Sequence, residues 1–190
     1  MNKKGKRKVL RKKAAAKKIA AQKKKLQPKA KPSPRVQAIP DGYHAITPYL
    51  SVRGAAQAIE FYKQAFRAEE IMRMPGTGGN IGHAEIEIGQ ARVMLADEVE
   101  ALDFMSPQAR GGSAVHLHIY VEDVDAMVAR ASAAGAKVTR PVADQFYGDR
   151  TGSIEDPFGH VWHLATHKED LSEAEMTKRA KAQAAKPAGG

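Results

Sequence analysis

The chain contains no cysteine in its 190 residues, which excludes disulfides and thiolate metal centres and suits a reducing compartment. It also lacks an apolar run near the ~18 residues of a membrane-spanning helix, and its N-terminus has no ~7–15 residue apolar core of the kind a secretory signal carries. These absences lead us to expect a cytoplasmic protein with no membrane span. Asp and Glu are missing altogether from residues 1–35, which hold 16 of the 31 Lys and Arg. The rest of the chain therefore carries 15 basic against 21 acidic groups, a net of −6, so the overall charge of +10 belongs to one end. Global basicity says nothing here about a nucleic-acid-binding fold.

Residues 1–38 read as a disordered, Lys/Ala-rich arm with too little apolar surface to offset the entropy of ordering. Non-specific contact with nucleic acid through residues 1–35, a solubilising extension and an organelle address are the alternatives. From Ile39 the pattern changes and then repeats. ITPYLSVRGAAQAIEFYKQAFRAEE and AVHLHIYVEDVDAMVARASAAGAKV each read as an alternating strand, a break and an amphipathic helix, 69 positions apart; ARVMLADE and HVWHLATH keep the same offset. A fixed offset marks a duplicated supersecondary unit.

Each copy spells strand, helix and three strands, giving an α+β fold of two tandem βαβββ modules, at 44–98 and 114–167, within a domain at 39–168. We expect a curved mixed sheet around a central cavity. Residues 169–190 read as a C-terminal helix and tail, opened by the capping-box pair Ser172 and Glu175. Pro48, which cannot donate to a ladder, points to an edge position for the first strand.

The offset also nominates a site. Thr47 matches His116 and Met94 matches His163, so four positions on equivalent strands would frame one point. A divalent ion such as Zn, Ni, Mn or Fe wants three or more His or carboxylate ligands. The chain offers two histidines, a threonine and a methionine, with His118 on the same strand face as His116 and Glu85 on a neighbouring strand as a third ligand or base. The alternative is that these histidines are the hydrogen-bonded polar side of a half-buried sheet. His44, His160 and His167 fall near strand ends and are expected at the surface. A second cluster, Phe146, Tyr147, Arg150 and Trp162, suits stacking and charge pairing with a planar or anionic small molecule, or else core packing with Arg150 paired to a nearby aspartate.

ITPYLSV, AIEFYKQAF, HAEIEIG, YVEDVDAMVARASAAGAKV and DQFYGDRTGSIEDPFGHVWHLATH together resemble the vicinal oxygen chelate superfamily of glyoxalases, bleomycin and fosfomycin resistance proteins and extradiol dioxygenases, in its glyoxalase-like bacterial branch. The resemblance spans His44 to His167. It places the family's metal ligands on Thr47, Met94, His116 and His163, of which His116 and His163 retain ligand chemistry. It implies a homodimeric protein that holds a small organic ligand between its modules without a resident cofactor, using Thr47, Met94, His118, Phe146, Tyr147, Arg150 and Trp162. The alternative is a metal-dependent lyase, isomerase or thiol transferase with His116 and His163 on the metal and Glu85 catalytic; a third makes the basic arm a nucleic-acid tether.

Overall fold

A computed structural model describes residues 36–185; the basic arm at 1–35 and the last five residues lie outside them. Ile39 opens the compact unit that carries both modules. In the first, β1 (Tyr49–Val52) leads into α1 (Ala55–Phe66), followed by β2 (Glu69–Pro75), β3 (Ile81–Ile88) and β4 (Ala91–Asp97). A connection containing the short helix α2 (Pro107–Arg110) leads to β5 (His116–Tyr120), α3 (Val124–Ala133), β6 (Lys137–Asp144), β7 (Asp149–Glu155) and β8 (Val161–His167), and α4 (Glu173–Ala184) closes the described chain. The strands form two four-stranded mixed sheets with the same order, β1-β4-β3-β2 and β5-β8-β7-β6. The sequence-predicted α+β architecture of tandem βαβββ modules is thus present. β1 and β5 each occupy a sheet edge, as Pro48 implied for the first.

The duplication extends to how the helices start. The Asp97 carboxylate at the end of β4 accepts from the Gly54 and Ala55 N–H groups, both at 2.9 Å. The equivalent position in the second module is Thr166, whose hydroxyl accepts from Val124 N–H at 2.9 Å. In both modules the last strand therefore satisfies orphan donors at the helix N-terminus. Asp123 adds its own cap to α3 by accepting from Ala126 N–H, and Ser172 caps α4 through Glu175 N–H.

Period-two alternation divides each sheet into a helix-covered face and an open one. Leu50, Val52, Ala84, Ile86, Val93 and Leu95 bury themselves under α1, and Ile154, Trp162 and Leu164 do the same on the second sheet. Phe66 of α1 packs against Trp162 with centroids 4.8 Å apart, and Tyr62 meets both Phe158 and Trp162, so one core runs beneath both modules. The opposite faces carry the polar residues, and they hold the chemistry.

Candidate functional site

On the open face of the second sheet, strand register lines up one row of donors. His118 pairs with His163, His163 with Ser153, and Ser153 with Arg140, so side chains from β5, β8, β7 and β6 share one side. His116 lies two residues before His118, and its Nδ1 stands 3.1 Å from His163 Nε2. The other ring nitrogen of His163, Nδ1, is 2.7 Å from the Ser153 hydroxyl. Which nitrogen carries the proton fixes who donates in each bond. Burial pulls the pKa of His163 below the usual histidine range, and the neighbouring His116, His118 and Arg140 lower it further.

Beside this row the Tyr120 hydroxyl donates to Asp149 Oδ2 at 2.9 Å, and His167 Nδ1 lies 2.7 Å from Asp149 Oδ1. Burial pushes the Asp149 carboxyl up, but the bonds from His167 and Tyr120 more than offset this and hold it below the usual range. His167 moves the opposite way: its bonds to Asp149 and Asp170 raise its pKa.

The first sheet carries a separate network. Tyr43 donates to the buried Glu85, His83 Nε2 lies 3.3 Å from Glu85 Oε1, and His83 Nδ1 lies 2.9 Å from the Tyr49 hydroxyl. The Arg92 guanidinium lies 3.6 Å from Glu85 and 3.4 Å from Glu87, over the Tyr43 ring. Burial acts to raise the Glu85 pKa, yet the hydrogen bonds from Tyr43 and His83, aided by the charges of His83 and Arg92, leave it lowered.

Of the four offset-related positions, the structure joins only His116 to His163. Met94 sits half-buried on β4 beside Tyr49 of β1, and the Thr47 hydroxyl turns back to the His44 carbonyl at 3.5 Å. No hydrogen bond among the described residues links either to the histidine pair, and none of the four lines a main cleft. Thr47 falls before β1 while His116 opens β5, so equivalence under the repeat does not by itself make residues meet.

The aromatic cluster separates in the same way. Trp162 is 1% exposed and belongs to the core, its Nε1–H donating to Asp156 at 2.8 Å. It alternates with His163 along β8, so only one of the two can face outward. Arg150 pairs with Asp125 at 2.6 Å and Asp144 at 3.0 Å beside the start of α3, which leaves its guanidinium committed. Phe146 and Tyr147 pack edge to face against each other at the β6–β7 turn, with centroids 5.2 Å apart. His160, expected at the surface, is buried with its Nε2 3.2 Å from the Ser51 carbonyl.

A cleft of about 1070 Å³ lies between the modules. Phe66, Ile88 and Ala91 come to it from the first module and His118, Ile119, Tyr120, Met127 and His167 from the second. His118 is the one sequence-nominated ligand residue in its wall. Tyr120, Asp149, His167, Ser153 and Arg140 were not nominated from sequence. Alternation along HLHIY and HVWHLATH could have reached Tyr120 and His167, whereas Ser153 and Arg140 depend on a β6–β7 register that two irregularities interrupt.

The model of the Glyoxalase/Bleomycin resistance protein/Dioxygenase superfamily matches residues 43–164, both modules of the chain. The chain belongs to this superfamily. Members of the glyoxalase/bleomycin-resistance superfamily bind small molecules, often depend on a divalent metal and commonly form dimers. Protein Rv0887c of Mycobacterium tuberculosis is 46% identical over 123 residues, covering 63% of this chain and 72% of its own. Among solved structures, TioX from Micromonospora sp. ML1 is similar at 25% identity with a TM-score of 0.52, over 68% of this chain and all of that one. FosX from Listeria monocytogenes, crystallised with Mn(II), shares the fold at 21% identity and a TM-score of 0.51, over 70% of this chain and 94% of its own.

The metal that many superfamily members use can be tested against the donors present. A ligand set needs three or more His or carboxylate groups converging on one point. Among the described residues no group of three or more His, Cys, Asp or Glu is arranged to hold a metal ion. Glu85, the nominated third ligand, lies on the other sheet under Tyr43 and Arg92. The described residues of one chain therefore do not supply the donor set of a resident divalent metal. No helix among the described residues is long and apolar enough to cross a membrane.

Proposed function

We propose that this protein is a small-molecule-binding member of the glyoxalase/bleomycin-resistance type that holds an organic ligand in the cleft between its modules. The observation that carries this reading is the cleft itself. Its apolar wall of Phe66, Ile88, Ile119 and Met127 and its few polar groups, His118, Tyr120 and His167, make the usual pattern of a site that binds by shape and a handful of directed bonds. Thr47 and Met94 would bear on a ligand only from the neighbouring sheet. Phe146, Tyr147, Arg150 and Trp162 take no part in this reading.

The protein acts in the cytoplasm as a homodimer. Support for a second copy comes from large apolar side chains left open around the two sheet edges: Ile46 is 85% exposed, Val115 69% and Tyr120 64%. Apolar side chains left open beside edge strands offer a surface on which a second copy can pack. The metal-dependent enzyme reading, with His116 and His163 as ligands and Glu85 as base, is weaker because its third donor is committed elsewhere. The nucleic-acid tether rests on the charge of residues 1–35 alone.

A thermal-shift screen of small aromatic and amphipathic compounds against the full chain tests the cleft. Hits should lose their stabilising effect in Met127→Lys, which places a charge in the apolar wall, and keep it in Arg150→Ala. Hits indifferent to Met127 and dependent on Arg150 would move the ligand out of this cleft.

A further inference from the structure

The open face of the second sheet carries His116 and His163, two of the four positions to which the resemblance assigned a metal, beside groups that can donate to an anion. His118, His163, Ser153 and Arg140 form a continuous cross-strand row, and His116 adjoins it through its 3.1 Å contact with His163. The groups in this patch are imidazoles, a hydroxyl and a guanidinium, all able to donate hydrogen bonds. Arg140 is exposed and, like Arg67 and Arg130, has no ion pair among the described residues, whereas Arg53, Arg73, Arg92, Arg110, Arg150 and Arg179 each engage a carboxylate; of the three, Arg140 is the one in register with Ser153 and His163.

The carboxylates on the same face are taken or displaced. Asp149 receives Tyr120 and His167, and Glu155 lies opposite Lys137 at the end of the sheet. A guanidinium with no carboxylate, next to a hydroxyl and three imidazoles, lacks its counter-charge. A planar donor fork suits oxyanions in particular.

We propose that Arg140, Ser153, His163, His118 and His116 form an oxyanion-binding site, for a phosphate or carboxylate group, on the open face of the second sheet. His118 belongs both to this row and to the wall of the inter-module cleft. The site thus gives the ligand proposed above its anionic end, and it rests on that reading for everything beyond the anionic group. The serine is already oriented by its 2.7 Å bond to His163 Nδ1. No covalent step is involved.

The probe is inorganic phosphate, with acetate in a parallel arm, titrated into the untagged full chain while the ring C–H resonances of His116, His118 and His163 are followed by NMR. Saturable shifts of these rings are expected, with affinity falling at least tenfold in Arg140→Gln and unchanged in Arg73→Gln, a control on the first sheet. A stronger response to phosphate than to acetate assigns a tetrahedral group, and the reverse a carboxylate. The site is overturned if neither anion moves the rings at tens of millimolar, or if Arg140→Gln and Arg73→Gln weaken binding alike. It is also overturned if Zn²⁺ binds one per chain in a form that His116→Gln removes. A chain that takes organic compounds into the cleft yet ignores both anions would sink this inference alone; one that ignores all of them would sink the binding function as well.

Discussion

The Tyr62 hydroxyl donates to Asp156 Oδ2 at 2.8 Å, across 94 positions of sequence, and joins the helix of the first module to the turn that precedes the last strand of the second. The same carboxylate accepts from Trp162 Nε1–H at 2.8 Å and from the Phe158 and His160 N–H groups at 2.9 Å each. Asp156 is 3% exposed, so its charge is stabilised by these four donors and not by water. Burial and the adjacent Asp156 charge raise the Tyr62 pKa, which keeps the phenol a donor.

Removing the Asp156 carboxylate should therefore cost more than removing one of its donors. Asp156→Ala strands two side-chain donors and two backbone donors in the core and should destabilise by about 3–5 kcal/mol, as loss of a buried charged partner typically does. Tyr62→Phe should cost about 1–2 kcal/mol. Urea unfolding of both variants checks the order, and equal losses would mean that Asp156 is not the hub.

His167 gives a pH signature with a definite sign. Asp149 and Asp170 raise its folded pKa, so its contribution to stability is complete below the unfolded value of about 6.5 and is lost as pH rises through the folded value. The melting temperature of the parent protein minus that of His167→Gln should be largest near pH 6 and shrink toward pH 9. A difference that grows with pH would reverse the assignment.

The homodimer is open to hydrodynamics. Sedimentation of the full chain should give twice the 20.6 kDa chain mass at micromolar concentration. Val115→Asp, at a side chain 69% exposed, should shift the population toward monomer without lowering the melting temperature of the isolated fold. A parent protein that sediments as a monomer at every concentration would remove the second copy from the proposal.

Metal content separates the binding and enzyme readings. Untagged protein incubated with Zn, Ni, Mn and Fe and then desalted should retain less than about a tenth of an equivalent of each, since structural and catalytic sites alike use at least three protein ligands. One equivalent retained, and lost in His163→Ala, would restore the metal-dependent alternative.

The basic arm predicts salt dependence. If residues 1–35 contact nucleic acid, full-length protein should bind duplex DNA with an affinity that falls by a log–log slope of about −0.9 per phosphate neutralised. A chain beginning at Val36 should not bind. Equal binding by both would free the arm of this role.

Most of the fold was legible because two independent periodicities agreed: alternation within strands and the 69-residue offset between modules. The offset reached even the helix caps, where Asp97 and Thr166 perform the same service with different chemistry. The site was less legible for a physical reason. Sequence spacing shows which side of a strand a residue takes, but which strands face one another is decided by packing between modules. Thr47 and Met94 thus correspond to His116 and His163 without touching them. Arg150 looked available because its strongest partner, Asp125, is 25 positions away on a helix. Trp162 looked like a ligand platform because its neighbours did, although the alternation that turns His163 outward turns the indole inward.

That alternation carries an evolutionary consequence. Because His163 and Trp162 are adjacent on one strand, a single-residue slip of β8 would exchange them, sending an imidazole under the helices and an indole into water. An insertion or deletion in β8 that no bulge absorbs would therefore invert both faces at once, whereas a substitution changes one side chain and leaves the register intact.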